Sequence, residues 1–246
     1  MRTEIGTVEA IFRYPVKSMA GEQLDVAEVG LNGIEGDRRL ALHKPNDTSG
    51  FPWLNASRVP ELITFKPVRR TRLPGDLPSH VKTPQGDEME IFSSELSDQI
   101  AQSYDHRVRM MHMRSGIFDA AHISVIATDT IDEIGRAAGM SLDVRRFRPN
   151  VVVRLHRPGA FQEDKWVGSS LVFGDASAGT RVNVMMHDER CAMINIDPDS
   201  AALSPEVLKS VVRINRNNAG VYCSVARTGT LSVGDTVYLD AAGEGG

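Results

Sequence analysis

Residues 187–200 read H-D-E-R-C-A-M-I-N-I-D-P-D-S, and Cys191 within them is one of two cysteines in the chain. The thiolate is the reactive and metal-binding form of cysteine, and a neighbouring cation such as Arg190 lowers the thiol pKa and favours it. Spacing alone leaves three roles open for Cys191: a small buried packing residue, a nucleophile, or a soft metal ligand. Cys223 sits in the alternating stretch V-Y-C-S-V and reads as a packing residue.

Three basic stretches could meet an anion. Y-P-V-K-S, residues 14–18, places Lys17 and Ser18 where a strand runs into a loop, and an ammonium beside a hydroxyl suits a phosphate. G-D-R-R-L, residues 36–40, sets Arg38 and Arg39 at a strand start, where one guanidinium can form a bidentate pair with phosphate. R-R-F-R-P-N, residues 145–150, carries Arg148 before a proline. Pro149 is expected to push Arg148 into an extended conformation, so that Arg148 and Asn150, two apart, point to one side. Taken alone, each stretch also reads as ordinary solvated basic residues: a solvated lysine at Lys17, the common arginine of a strand end at 36–40, and a basic edge at 145–150.

Other chemistries lack their signatures. The seven histidines do not cluster and no H-E-x-x-H is present. There is no C-x-x-C, no G-x-S-x-G and no G-x-G-x-x-G after a strand, so a structural zinc, a serine hydrolase and a dinucleotide enzyme are not supported. The net charge of -4 gives no overall basic field, and R-T-R and R-I-N-R lack interleaved aromatics, so no nucleic-acid partner is expected. No apolar run is long enough to cross a bilayer and the start does not read as a signal peptide, so no membrane partner is expected. Two cysteines without a disulfide pattern fit a reducing, cytoplasmic setting.

The elements that must position these residues are mostly short strands. Residues 7–14, 24–29, 39–43, 89–92 and 108–113 read as strands, with a Pro- and charge-rich loop at 69–80. A helix is expected over 93–104 behind a serine cap. Beyond Asp119, strands are expected at 122–127, 149–155, 181–187 and within 220–239. Two helices are expected here, one ending at Gly139 and one entered through Ser204 as cap and Pro205 as first residue. The fold class is mainly β with a few peripheral helices (α+β), built as a β-barrel core with an N-terminal β-barrel-like part. The domains are expected at 1–116 and 117–241, followed by a frayed tail at 242–246.

Taken in order, Y-P-V-K-S, G-D-R-R, R-F-R-P-N, R-C-x-x-x-x-I-D-P-D and T-G-T-L-S-V-G-D-T-V resemble the MOSC family, the molybdenum cofactor sulfurase C-terminal domains. The first portion resembles the N-terminal β-barrel domain that accompanies them, and the whole is similar in kind to the amidoxime reducing components. The resemblance implies a molybdenum–molybdopterin cofactor. It implies Cys191 as the thiolate on molybdenum and the centre of catalysis. Lys17, Ser18 and Arg38 would hold the phosphate and pterin, Arg148 and Asn150 would contact the pterin side, and Arg190 would line the same pocket. The sequence departs from the family at Ile194-Asn195, at Ala121 and at Ser200-Ala201.

The implied activity is an oxidoreductase that reduces N-hydroxylated or related N–O or S–O small-molecule substrates. The chain carries no flavin or iron–sulfur motif, so electrons would come from a separate electron-transfer protein bearing a flavin, haem or iron–sulfur centre. The alternative is a carrier or sulfur-transfer protein that binds the cofactor without turnover of its own.

Overall fold

The computed structural model describes residues 2–71 and 76–241. Its centre is a closed barrel of seven strands. In order around the ring they are Val151–Leu155, Ile123–Ala127, Asn218–Arg227, Thr180–Glu189, Ser170–Phe173, Thr236–Asp240 and Arg2–Arg13. Arg2–Arg13 closes the ring by pairing antiparallel with Val151–Leu155, for instance Ile11 opposite Val151. Pairing is antiparallel except between Ile123–Ala127 and Val151–Leu155, which run parallel. A parallel pair needs a crossover, and helix α2 (Thr128–Ala138) lies in that connection. The mainly β class with peripheral helices is therefore what forms.

The sequence explains the pattern. Ile123–Ala127 is buried at every position and is apolar except for Ser124, as expected for a strand covered on both faces. Along Arg2–Arg13 the side chains divide between two cores. Val8 and Ile11 enter the lumen with Val125, Val153, Leu171, Phe173 and Cys223, while Ala10, Phe12 and Tyr14 pack outside with Ile131, Ile134 and Val211. Register shifts at Glu4/Gly6 and Val8/Ala10 let this one strand bend from its Thr236–Asp240 partner to its Val151–Leu155 partner.

That first strand lies within the expected 1–116 part and closes a barrel whose other six strands lie between Ile123 and Asp240. The remaining N-terminal residues build a second core around Val16, Leu40, Leu62, Phe65, Leu96 and Ile100. Helix α1 (Ser94–Tyr104) is capped as expected, with the Ser93 hydroxyl accepting from Leu96 N at 3.2 Å. Helix α2 ends at Gly139, whose φ of 72° is the left-handed conformation that glycine adopts without strain. Helix α3 (Glu206–Asn215) begins one residue later than expected: Pro205 is its cap and no side chain bonds its first amides. The strand Ser170–Phe173 has no counterpart in the sequence expectations. Part of the expected 69–80 loop (72–75) and the expected frayed tail at 242–246 fall outside the described residues. No helix among the described residues is long and apolar enough to cross a membrane.

Candidate functional site

Chain segments that are far apart in sequence converge at one end of the barrel. The first strand stops at Arg13, and Lys17 and Ser18 follow it. Arg38 follows the turn after Gly33–Ile34, Arg148 follows the short 3-10 turn Val144–Phe147, and Cys191 follows the strand Thr180–Glu189. Lys17, Ser18, Arg38, Arg148, Arg190 and Cys191 all line one cleft with about 250 Å³ of enclosed space. Of the two candidate arginines at the strand start, Arg38 enters the cleft. Arg39 instead faces Glu35 at 3.4 Å.

Cys191 is exposed, which removes the packing role for it. It has an extended backbone and precedes the 3-10 turn Ala192–Asn195. Arg146 holds that turn, donating to the Asn195 carbonyl at 3.0 Å and to Asp197 Oδ2 at 2.9 Å. Arg145 forks onto Asp199 at 3.0 and 2.7 Å, so the Asp-Pro-Asp turn is tied down from both sides.

Two expectations about the 145–150 stretch change. Arg148 is not extended: its φ is 50° and ψ 43°, in the left-handed region. The local restriction imposed by Pro149 is overridden by tertiary contacts. Arg148 Nη1 donates to the Met19 carbonyl at 2.7 Å, and the guanidinium lies 4.2 Å from the centre of the Tyr14 ring. With the backbone turned, Arg148 and Asn150 part company. Asn150 is buried behind the cleft wall. Its Nδ2 donates to the Phe12 carbonyl at 3.2 Å and to Asp37 Oδ2 at 3.1 Å, and its Oδ1 accepts from Ser124 N at 3.1 Å.

The charges are unevenly compensated. Lys17 Nζ meets Asp119 Oδ1 at 2.7 Å, and burial lowers its pKa even so. Arg38 is paired with the fully buried Asp37, which also accepts from the Tyr14 amide at 2.6 Å and from Asn150 Nδ2. Arg190 donates to the Ala219 and Phe147 carbonyls at 2.7 and 2.8 Å. Its Nη2 lies 2.9 Å from Asp188 Oδ2 without hydrogen-bond alignment. Asp188 also accepts from the Ser124 hydroxyl at 2.8 Å, and burial raises its pKa against the pull of Arg190. Arg148 has no carboxylate partner among the described residues, its Nη2 is buried without an acceptor, and burial pulls its pKa down to about 10. A buried cation that lines a cleft and has an N–H free of protein acceptors suits an oxyanion.

The donor set fits an anionic metal-bearing cofactor. Among the described residues no three His, Cys, Asp or Glu side chains gather into a metal cage. Cys191 can therefore offer one soft donor, and a metal held there must bring its remaining ligands with it. The guanidinium and ammonium groups around it suit a negatively charged ligand frame. Reasoning from sequence missed Tyr14, Asp37, Asp188 and Tyr222 as parts of this region. Burial of polar and aromatic groups is set by long-range packing and leaves no local signal.

Residues 92–238 match the MOSC domain and residues 5–122 the MOSC N-terminal beta barrel domain. Mitochondrial amidoxime reducing component 2 of Bos taurus is 26% identical over 133 residues, 49% of this chain and 37% of that protein. Its Homo sapiens counterpart is 29% identical over 128 residues, 46% of this chain and 36% of that one. The matched stretch thus spans little more than a third of these relatives' length. The YUAD protein from Bacillus subtilis shares the fold over 98% of both chains, with a TM-score of 0.54 and 16% identity.

Proposed function

The chain belongs to the MOSC domain family, and on that premise we propose that it is a molybdenum-cofactor-dependent oxidoreductase acting on N-hydroxylated or related N–O or S–O small molecules. The observation that carries this reading is the shared cleft: the exposed Cys191 and the buried cation Arg148, which has no ion-pair partner among the described residues, line the same space. The bound cofactor supplies two-electron redox chemistry with oxygen-atom transfer.

The residues of the chain divide the remaining work. Cys191 holds the metal as a thiolate. Lys17, Ser18, Arg38 and Arg148 hold the anionic phosphate and pterin. Arg190, locked to two carbonyls, keeps a fixed positive charge next to Cys191 in the chain. Asn150 works from behind the wall, bonding Asp37 and so fixing Arg38. Electrons arrive from a separate electron-transfer protein with a flavin, haem or iron–sulfur centre. The amidoxime reducing components named above support the substrate class.

Exposure of Cys191 also suits a second reading, a carrier or sulfur-transfer protein that hands the cofactor on. Elemental analysis of protein from a cofactor-producing host separates the cases. Wild type is expected to carry molybdenum near equivalence and Cys191→Ala none, at unchanged melting temperature. Turnover of an amidoxime with a reduced viologen dye then supports the enzyme. Metal without turnover supports the carrier, and metal retained by Cys191→Ala sinks the ligand assignment.

A further inference from the structure

Arg38 and Arg148 share one ring. Their guanidinium carbons lie 4.9 and 4.2 Å from the centre of Tyr14, which is 1% exposed. Two like charges brought this close repel, and Asp37 forms its ion pair with Arg38 while acting on Arg148 only from farther away. The negative face of an aromatic ring attracts a cation and does so more strongly where water is excluded. Ser18, Arg38 and Arg148 all hold left-handed backbones, at φ 69°, 49° and 50°, a conformation that non-glycine residues keep only when their surroundings enforce it. Arg148 is held by the Met19 carbonyl at 2.7 Å and accepts from Arg38 Nη2 through its own carbonyl at 3.0 Å, and both arginines also lean on Tyr14. Its carbonyl accepts from Arg38 N at 2.7 Å, and its amide donates to Asp37, the partner of Arg38.

The phenol oxygen tells the opposite story. Tyr14 Oη is buried and has no hydrogen-bond partner. A buried hydroxyl left unpaired opposes folding, so the residue is not kept for that group. We propose that Tyr14 is a positioning residue: its ring face sets the spacing and aim of the Arg38 and Arg148 guanidinium groups, which together grip a phosphate-type anion.

This inference rests on reading the cleft as an anion-holding site, and one titration series tests the two separately. Metal-free protein is titrated calorimetrically with pyrophosphate. Position 14 carries tyrosine, phenylalanine, or phenylalanine with one, two or three ring fluorines, which drain the ring face without changing its shape. Tyr14→Phe is expected to bind as tightly as wild type. Affinity should then fall step by step to about tenfold weaker at three fluorines, the scale of a desolvated cation–π contact. Melting temperatures across the series report whether the fold is kept, and Tyr14→Leu, where it folds, should match the weakest member. A flat fluorine series overturns the ring-face role, and so does a loss of binding in Tyr14→Phe, which would give the hydroxyl the work. No binding by wild type overturns the inference together with the reading beneath it.

Discussion

Tyr222 and Cys223 are neighbours on one strand, and they face two different regions of the molecule. Cys223 enters the barrel lumen, where it is fully buried among aliphatic side chains and burial pushes its thiol pKa up. Tyr222 lines the cleft that holds Cys191. The lumen is dry, apolar and closed by backbone pairing. The cleft is made of strand ends and turns, its arginines held by carbonyls, a ring and single carboxylates. The same residue type, cysteine, is inert in one region and available in the other. Surroundings rather than residue type decide which thiol has chemistry.

The largest test of that contrast is a direct exchange of losses. Cys191→Ala should remove all bound molybdenum and leave stability unchanged, while Cys223→Ala should leave the metal in place. Iodoacetamide labelling of the folded protein, read by mass spectrometry, should mark Cys191 and spare Cys223. Labelling at Cys223 in the native state would break the comparison.

Next in size is Asp37→Ala. It leaves the Tyr14 amide, Asn150 Nδ2 and the Arg38 guanidinium without their buried acceptor. Removing one member of a buried charge pair costs about 3–5 kcal/mol. Denaturant titration should therefore show that this buried residue next to Arg38 acts on folding as strongly as a lumen residue. A loss below about 1 kcal/mol, no more than a surface ion pair contributes, would mean the cleft wall is looser than it looks.

Glu163 sharpens the contrast from the helix side of the barrel. It is buried, accepts from Ala127 N at 3.2 Å and the Thr130 hydroxyl at 2.9 Å, and burial raises its pKa to about 7. The native state therefore keeps a proton that the unfolded chain releases near its ordinary value. Stability should be unpenalised below pH 4, fall as pH rises from there, and level off above about 7, a total of about 3 kcal/mol. Glu163→Gln should flatten this slope. A wild-type curve that rises over the same window would reverse the assignment.

The smallest effect is Cys223→Ala, a loss of about 1 kcal/mol from a small void in the lumen, measured by thermal unfolding. A loss several times larger would mean that the sulfur does more in the lumen than fill space.

Much of this was legible in the chain. Y-P-V-K-S, G-D-R-R, R-F-R-P-N and the Cys191 stretch do meet in one cleft, and the strand-rich pattern does close into a barrel. What escaped was set by distant partners. Ser170–Phe173 is a four-residue strand whose identity comes from pairing with Thr180–Glu189 and Thr236–Asp240, not from its own short pattern. Arg148 departs from the conformation its proline favours because Tyr14 and Met19 hold it. Asn150 faces Asp37 because of that same turn of the backbone. Local rules name the residues that could do chemistry, and packing decides which way they face.

The first strand carries a consequence for biosynthesis. Arg2–Arg13 must pair with Thr236–Asp240, the barrel strand that leaves the ribosome last. Contacts so remote in sequence make ring closure a late and slow event. Lys17 and Ser18 hang from the end of that first strand, and Cys191 from a strand made some 170 residues later. The cleft therefore takes its final form late, after strands distant from the first have been made.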